Sequence, residues 1–216
     1  MSNEGQKSYF EQFGLPRHLH IDNAALEKSF YAHSRKLHPD RFAARPQAEQ
    51  EAALVASSRL NDAYRTLKDP ILRTEYLLEL EGIQLEEQSR AATDAARASG
   101  TEKKQVAPPD LLEEAFELNM QLEEMRMARK MGEEPVPSEV EGTGSTRADL
   151  EAARTKFTAM LNDLHKQLAE LWSKWDASED ADDAAGRDAA KKGMVDLLNR
   201  RSYIRNLVRD VNTALE

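Results

Sequence analysis

The feature that most limits what this chain can fold into is a helical period that is capped, cut and restarted. Leu26, Phe30, His33 and Leu37 recur at steps of four, three and four residues, which is one face of an amphipathic helix. Asp22 stands just before them, where a carboxylate would accept hydrogen bonds from the unpaired amides of a first turn. Pro39 disfavours helical geometry at His38 and ends the pattern. A second pattern then runs Ala52, Val55, Ala56, Leu60, Ala63, Tyr64, Leu67 and stops near Asp69-Pro70. Two such helices, joined by a short polar segment, pack antiparallel as a hairpin. The stretch Leu37-His38-Pro39-Asp40-Arg41 then lies at the exposed tip, with no role in a core.

Around the hairpin the signals are local. Residues 8–14 predict a short first helix with Tyr9, Phe10 and Phe13, closed by Gly14 with Pro16 just beyond. Residues 15–21 read as an extended linker. Its His18 and His20 have no third ligand beside them in sequence and read as surface residues rather than a metal site. The helix over 22–37 carries Lys28, Arg35 and Lys36 outside its apolar stripe, with Arg41 just past the turn. Such charges are either a solvated face or an electrostatic footprint for an acidic partner. A short helix over 71–80 carries Leu72, Tyr76, Leu77 and Leu80 and stops at Gly82.

Composition sets the class. Of 216 residues, 40% are hydrophobic and 32% charged, so cores must be thin, as in helix pairs and bundles. β-branched runs are absent and the fold class is all-α. A net charge of −9 argues against nonspecific binding to nucleic acid or an anionic membrane. The chain has no cysteine, which excludes disulfides, thiolate-bound metal and any cysteine-ligated cluster of its own. No apolar run approaches a membrane span, and Met1 to Lys7 has neither a secretory core nor an arginine-rich presequence. A soluble protein of the bacterial cytoplasm is expected, a processed mitochondrial form being the second reading. No phosphate-binding glycine loop and no Ser-His-Asp or Cys-His set can be argued, so we expect no catalytic residue, no metal site and no cofactor.

Residues 86–108 change character. Ser89 to Gln105 hold five alanines and no leucine, isoleucine, valine or aromatic residue, which marks a linker between residues 7–85 and 109–216. From Asp110 a heptad seam appears: Leu111, Ala115, Leu118, Leu122, Met125. A second stripe, Leu112, Phe116 and Met120 with Met127 near its line, lies about 140° round the same helix. Glu113, Glu117 and Glu124 border it. After an acidic loop at 132–147, helix two runs 147–175 with Leu150, Ala153, Phe157, Leu161, Leu164, Leu168, Leu171 and Trp175 on one seam. His165 beside that seam reads as a packing residue. A second acidic loop, Ser178 to Gly186, leads to helix three over 187–215, whose seam is Leu197, Ile204, Val208, Val211 and Leu215. Tyr203 lies roughly 120° off it. Three long helices with a shared seam make an antiparallel three-helix bundle. The second stripe is then either ordinary core or a docking patch rimmed by carboxylates.

The order of the N-terminal elements resembles the J-domain of DnaJ-type co-chaperones. Tyr9-Phe10…Phe13-Gly14-Leu15-Pro16, His38-Pro39-Asp40-Arg41-Phe42, Leu60-Asn61-Asp62-Ala63-Tyr64-Arg65-Thr66-Leu67-Lys68-Asp69-Pro70 and Arg73-Thr74-Glu75-Tyr76-Leu77-Leu78 resemble the HscB family in particular. That resemblance implies a J-domain hairpin plus a three-helix bundle in an L-shaped molecule. It implies that His38, Pro39, Asp40, Arg41, Lys28, Arg35 and Lys36 dock on the ATPase of an HscA/DnaK-type chaperone. Leu112, Glu113, Phe116, Glu117, Met120, Glu124 and Tyr203 would bind an IscU-type scaffold in iron–sulfur cluster assembly. His33, Glu113 and Met120 depart from the family pattern, which usually has an aliphatic residue, a methionine and a glutamate there. A J-domain protein with another client, or a non-catalytic helical scaffold that could pair with itself through the stripe, stay open at this point.

Overall fold

A computed structural model of the chain describes residues 7–83, 85, 108–130 and 144–216, apart from the side chains of residues 110, 124–126, 128–130 and 144–146. The expected linker at 86–108 and the loop at 132–147 fall almost wholly outside these residues, as does the side chain of Met125. The described residues are helical and contain no strand. The helices are α1 (Tyr9–Phe13), α2 (Asn23–Leu37), α3 (Gln47–Lys68), α4 (Pro70–Leu80), α5 (Leu112–Lys130), α6 (Gly144–Asp180) and α7 (Ala184–Leu215). Short 3-10 turns precede α3 at Pro39–Arg41 and α5 at Pro109–Leu111. Two compact units result, one of Met1–Gln84 with Glu170–Met194, the other of Leu85–Ala169 with Val195–Glu216.

The helix ends of the first unit follow from their caps. Ser8 and Glu11 form a reciprocal capping box on α1, and the Ser8 N–H donated to Glu11 Oε2, with the Ser8 hydroxyl second, holds that carboxyl below its ordinary value. Gly14 closes α1 at φ 67°, a left-handed geometry that glycine adopts without strain. Asp22 caps α2 through Ala24 N–H and Ala25 N–H, and Asp69 caps α4 through Ile71 N–H and Leu72 N–H. His38 sits at φ −59° and ψ 130°, the extended geometry that a following proline imposes.

Packing then fixes the hairpin. Phe10, Phe13, Leu19, Leu26, Leu60, Ala63, Leu67, Leu77 and Leu78 are buried within this unit. Each fully buried leucine contributes about 1.5–3 kcal/mol. Phe30 stacks on Tyr64 at 4.2 Å across the hairpin, and His33 meets Phe13 edge-on at 6.0 Å. Three residues expected on buried faces are exposed. Ala52 and Val55 point to solvent, because the buried face of α3 runs through Ala53, Leu60, Ala63 and Leu67, and Val55 falls on the opposite side. On α4, Leu72 is exposed while Arg73 and Thr74 are buried, since Arg73 donates inward to the Leu67 carbonyl.

In the second unit α5, α6 and α7 share one core. Leu111, Ala115, Leu118 and Leu122 meet Leu150, Phe157 and Leu164 and also Ile204, Leu207 and Val211. His165, expected as a packing residue, is exposed instead, and Arg201 Nε donates to its Nε2 at 3.2 Å, so this imidazole is a surface polar partner. The seam expected on α7 is shifted. Leu198 and Leu207 are buried, whereas Leu197, Val208 and Leu215 pack at the edge. A helix between two neighbours buries a face wider than one heptad line.

The acidic loop expected from Ser178 to Gly186 is mostly helix. Ser178 is buried with its hydroxyl on the Lys174 carbonyl, its own carbonyl accepts from Asp183 N–H, and Asp182 at φ 51° turns the chain within three residues. Beyond the turn, a side chain at Gly193 would meet Leu171 at 3.0 Å. We expect Gly193→Val to lower stability by about 1–3 kcal/mol through overpacking. Gly193→Ala should stay within about 1 kcal/mol of wild type, because helix propensity offsets the tight methyl contact. Thermal melts of the two variants check both values.

Candidate docking surfaces

The hairpin tip is built from one turn. Pro39, Asp40 and Arg41 form the 3-10 turn, and His38 caps it. His38 Nδ1 lies 3.4 Å from Asp40 N–H and also 3.4 Å from Asp40 Oδ2. The two contacts exclude each other at one nitrogen: a neutral Nδ1 accepts from the amide, whereas a protonated one pairs with the carboxylate. Both are long, and the group is open to water, with side-chain exposures of 59% for His38 and 88% for Asp40. Pro39 and Arg41 are exposed as well, and Arg41 Nη1 reaches back to the Arg35 carbonyl at 3.5 Å. Lys28, Arg35 and Lys36 are exposed on α2. Nothing in the core explains the tripeptide.

A polar lock holds the segment before α2. Asp176, on the α6 end that belongs to this unit, accepts Leu19 N–H at 2.6 Å, His20 N–H at 3.0 Å and His20 Nδ1 at 2.9 Å. His18 Nε2 lies 3.0 Å from Asp180 Oδ1, and the Trp175 indole donates to the Arg17 carbonyl at 2.8 Å. Burial pulls the Arg73 guanidinium below its ordinary value, with the Asp176 and Asp69 carboxylates opposing that shift. Glu81 takes Arg17 at 3.3 Å and Lys191 at 3.1 Å. His18 and His20 are therefore partners of α6 aspartates. Sequence reading missed this lock, because its two sides lie 156 and 157 residues apart and no local pattern joins them. Among the described residues no three His, Cys, Asp or Glu side chains gather as metal ligands would.

On α5 the seam is buried and the second stripe is not. Leu112, Phe116 and Met120 are 60%, 65% and 55% exposed, and Met127 continues the line at 50%. Glu113 and Glu117 are exposed along its border, while the Glu124 side chain lies outside the described residues. A contiguous apolar strip rimmed by carboxylates is the anatomy of a protein-docking face. Tyr203 differs from the rest. It is half-buried against the bundle core, and that burial pushes its phenol up, keeping it a neutral hydrogen-bond donor.

No family model matches the chain. A Vibrio cholerae protein named "Co-chaperone protein HscB homolog" is 34% identical over 177 residues, covering 80% of this chain and 85% of the relative. An Azoarcus protein of the same name is 29% identical over 216 residues, covering 100% of this chain and 98% of the relative. The structure of chaperone HscB from Vibrio cholerae aligns with TM-score 0.60 and 28% identity over 95% of this chain and 96% of that one. Human co-chaperone protein HscB aligns at TM-score 0.53 and 21% identity over 96% of this chain and 83% of that one, a likeness of fold alone. Fold, exposed tip and relatives together define an all-helical co-chaperone. Within that class, the chain belongs to the HscB family. Among the described residues no helix is long and apolar enough to cross a membrane.

Proposed function

We propose that this chain stimulates the ATPase of an HscA/DnaK-type chaperone and delivers to it an IscU-type scaffold of iron–sulfur cluster assembly, in a bacterial cytoplasm. The observation that carries the reading is the tip, where His38, Pro39 and Asp40 stand in solvent at the end of a packed helical hairpin. Residues 7–85 serve as the J-domain and 109–216 as the client-binding bundle. Lys28, Arg35, Lys36 and Arg41 supply a basic footprint in a chain of net charge −9, which suits an acidic chaperone surface.

No bond is made or broken by this protein. The tip favours the chaperone conformation competent for hydrolysis, which is a population shift. Holding the scaffold on the same chain raises its effective concentration at the chaperone's client site. Leu112, Phe116 and Met120, with Glu113, Glu117, Glu124 and Tyr203 about them, form the scaffold face. The stripe's carboxylate rim suits a partner element with an apolar centre and basic flanks.

The test is single-turnover ATP hydrolysis by an HscA/DnaK-type chaperone with and without this protein. Acceleration of about tenfold or more supports the reading, and an unchanged rate refutes it. For the scaffold face, Phe116→Ala is expected to weaken an IscU-type partner by about 10- to 100-fold, since exposed aromatic anchors carry much of such interfaces. Titration calorimetry checks this, and the melting temperature should not move because Phe116 is 65% exposed.

A further inference from the structure

We propose that Tyr31 is the aromatic anchor of the chaperone-facing side of α2, flanked on its strip by Lys28 and Arg35, and that this strip takes a carboxylate-lined surface of the ATPase partner. The inference rests on the co-chaperone reading above and goes beyond it to a residue with no part in the tip. Tyr31 is a large aromatic left 55% exposed on a helix whose opposite face is packed. Lys28 and Arg35 lie three residues before and four after it, so all three share one strip of α2.

The ring is held in place. Its centroid lies 5.5 Å from that of Phe30 at a tilt of 59°, and Phe30 in turn stacks on Tyr64 at 4.2 Å. Lys68 Nζ sits 5.3 Å from the Tyr64 ring centroid and adds a third cation on the α3 side of this aromatic stack. The acidic neighbour, Glu27, is engaged by the Tyr64 hydroxyl at 3.3 Å. Two cations beside a pre-positioned aromatic, with a third across the Phe30–Tyr64 stack, match the make-up of an interface centre: a rigid ring to bury, and a charged rim that selects an acidic partner.

The test is the dose dependence of ATPase stimulation by the full chain. Tyr31→Ala is expected to raise the half-maximal concentration about tenfold at an unchanged maximal rate, while Tyr31→Phe behaves as wild type. Melting curves of both variants should overlay wild type, because neither replaces a buried group. If Tyr31→Ala leaves the half-maximal concentration unchanged while wild type stimulates, this proposal is overturned and the co-chaperone reading stands. If Tyr31→Phe loses as much as Tyr31→Ala, the ring is not the anchor and the proposal is overturned as well. Absence of stimulation by wild type overturns both.

Discussion

His38→Gln is expected to reduce stimulation of the chaperone ATPase by about 10- to 100-fold, the range of a typical coupling free energy, without changing the fold. The second half of that expectation follows from geometry. The imidazole makes two long contacts within its own turn and is 59% exposed, so removing it costs the hairpin no more than about 0.5 kcal/mol. The first half follows from the two ring nitrogens. Nδ1 faces Asp40 and orders the turn, which leaves Nε2 as the atom offered to a partner. Glutamine has similar reach but a single amide at its end, and it cannot hold the turn and meet a partner at once. Single-turnover hydrolysis beside a thermal melt separates the two effects. Equal stimulation by both proteins would remove the tripeptide from the mechanism.

The largest loss of stability is expected from Trp175→Ala. Trp175 is fully buried, and its indole N–H satisfies the Arg17 carbonyl at 2.8 Å. Truncating a buried tryptophan costs about 3–5 kcal/mol, and an unpaired carbonyl adds to that. For a chain of this size the melting transition should fall by about 10 °C. Trp175→Phe keeps most of the ring and loses the donor, so its cost should be about 1–2 kcal/mol. Trp172→Ala is the control: its ring is only half-buried and meets His20 edge-on at 6.2 Å. Circular dichroism melts check the order of the three variants. A Trp175→Ala protein that melts within 2 °C of wild type, on the scale of about 2–4 °C per kcal/mol, would show that the lock before α2 contributes little.

Much of the fold was readable because its signals are local. Asp22, Gly14, Asp69-Pro70 and the restriction that Pro39 puts on His38 each act within a few residues, and each helix end lies where they point. The exposed strip on α5 was readable for a different reason. Leu111, Ala115, Leu118 and Leu122 already complete a core face, so Leu112, Phe116 and Met120 had to point elsewhere. What stayed hidden depends on distant partners. No pattern near Leu19 announces that its amide will find Asp176, 157 residues away. Val55 fits the period of α3 yet lies on the side away from the buried line through Ala53 and Leu60. Tyr203 is half-buried against the bundle core, a contact with distant helices that its own neighbours in sequence do not announce.

The first unit is discontinuous: residues up to Gln84 are completed by Glu170–Met194. During synthesis the early hairpin therefore leaves the ribosome without the indole that meets Arg17 and without the carboxylate that meets Leu19 and His20. At roughly 5–20 residues per second, that gap lasts on the order of ten seconds. Nascent chains halted within it would carry a complete His-Pro-Asp tip on a unit whose rear is still unclosed.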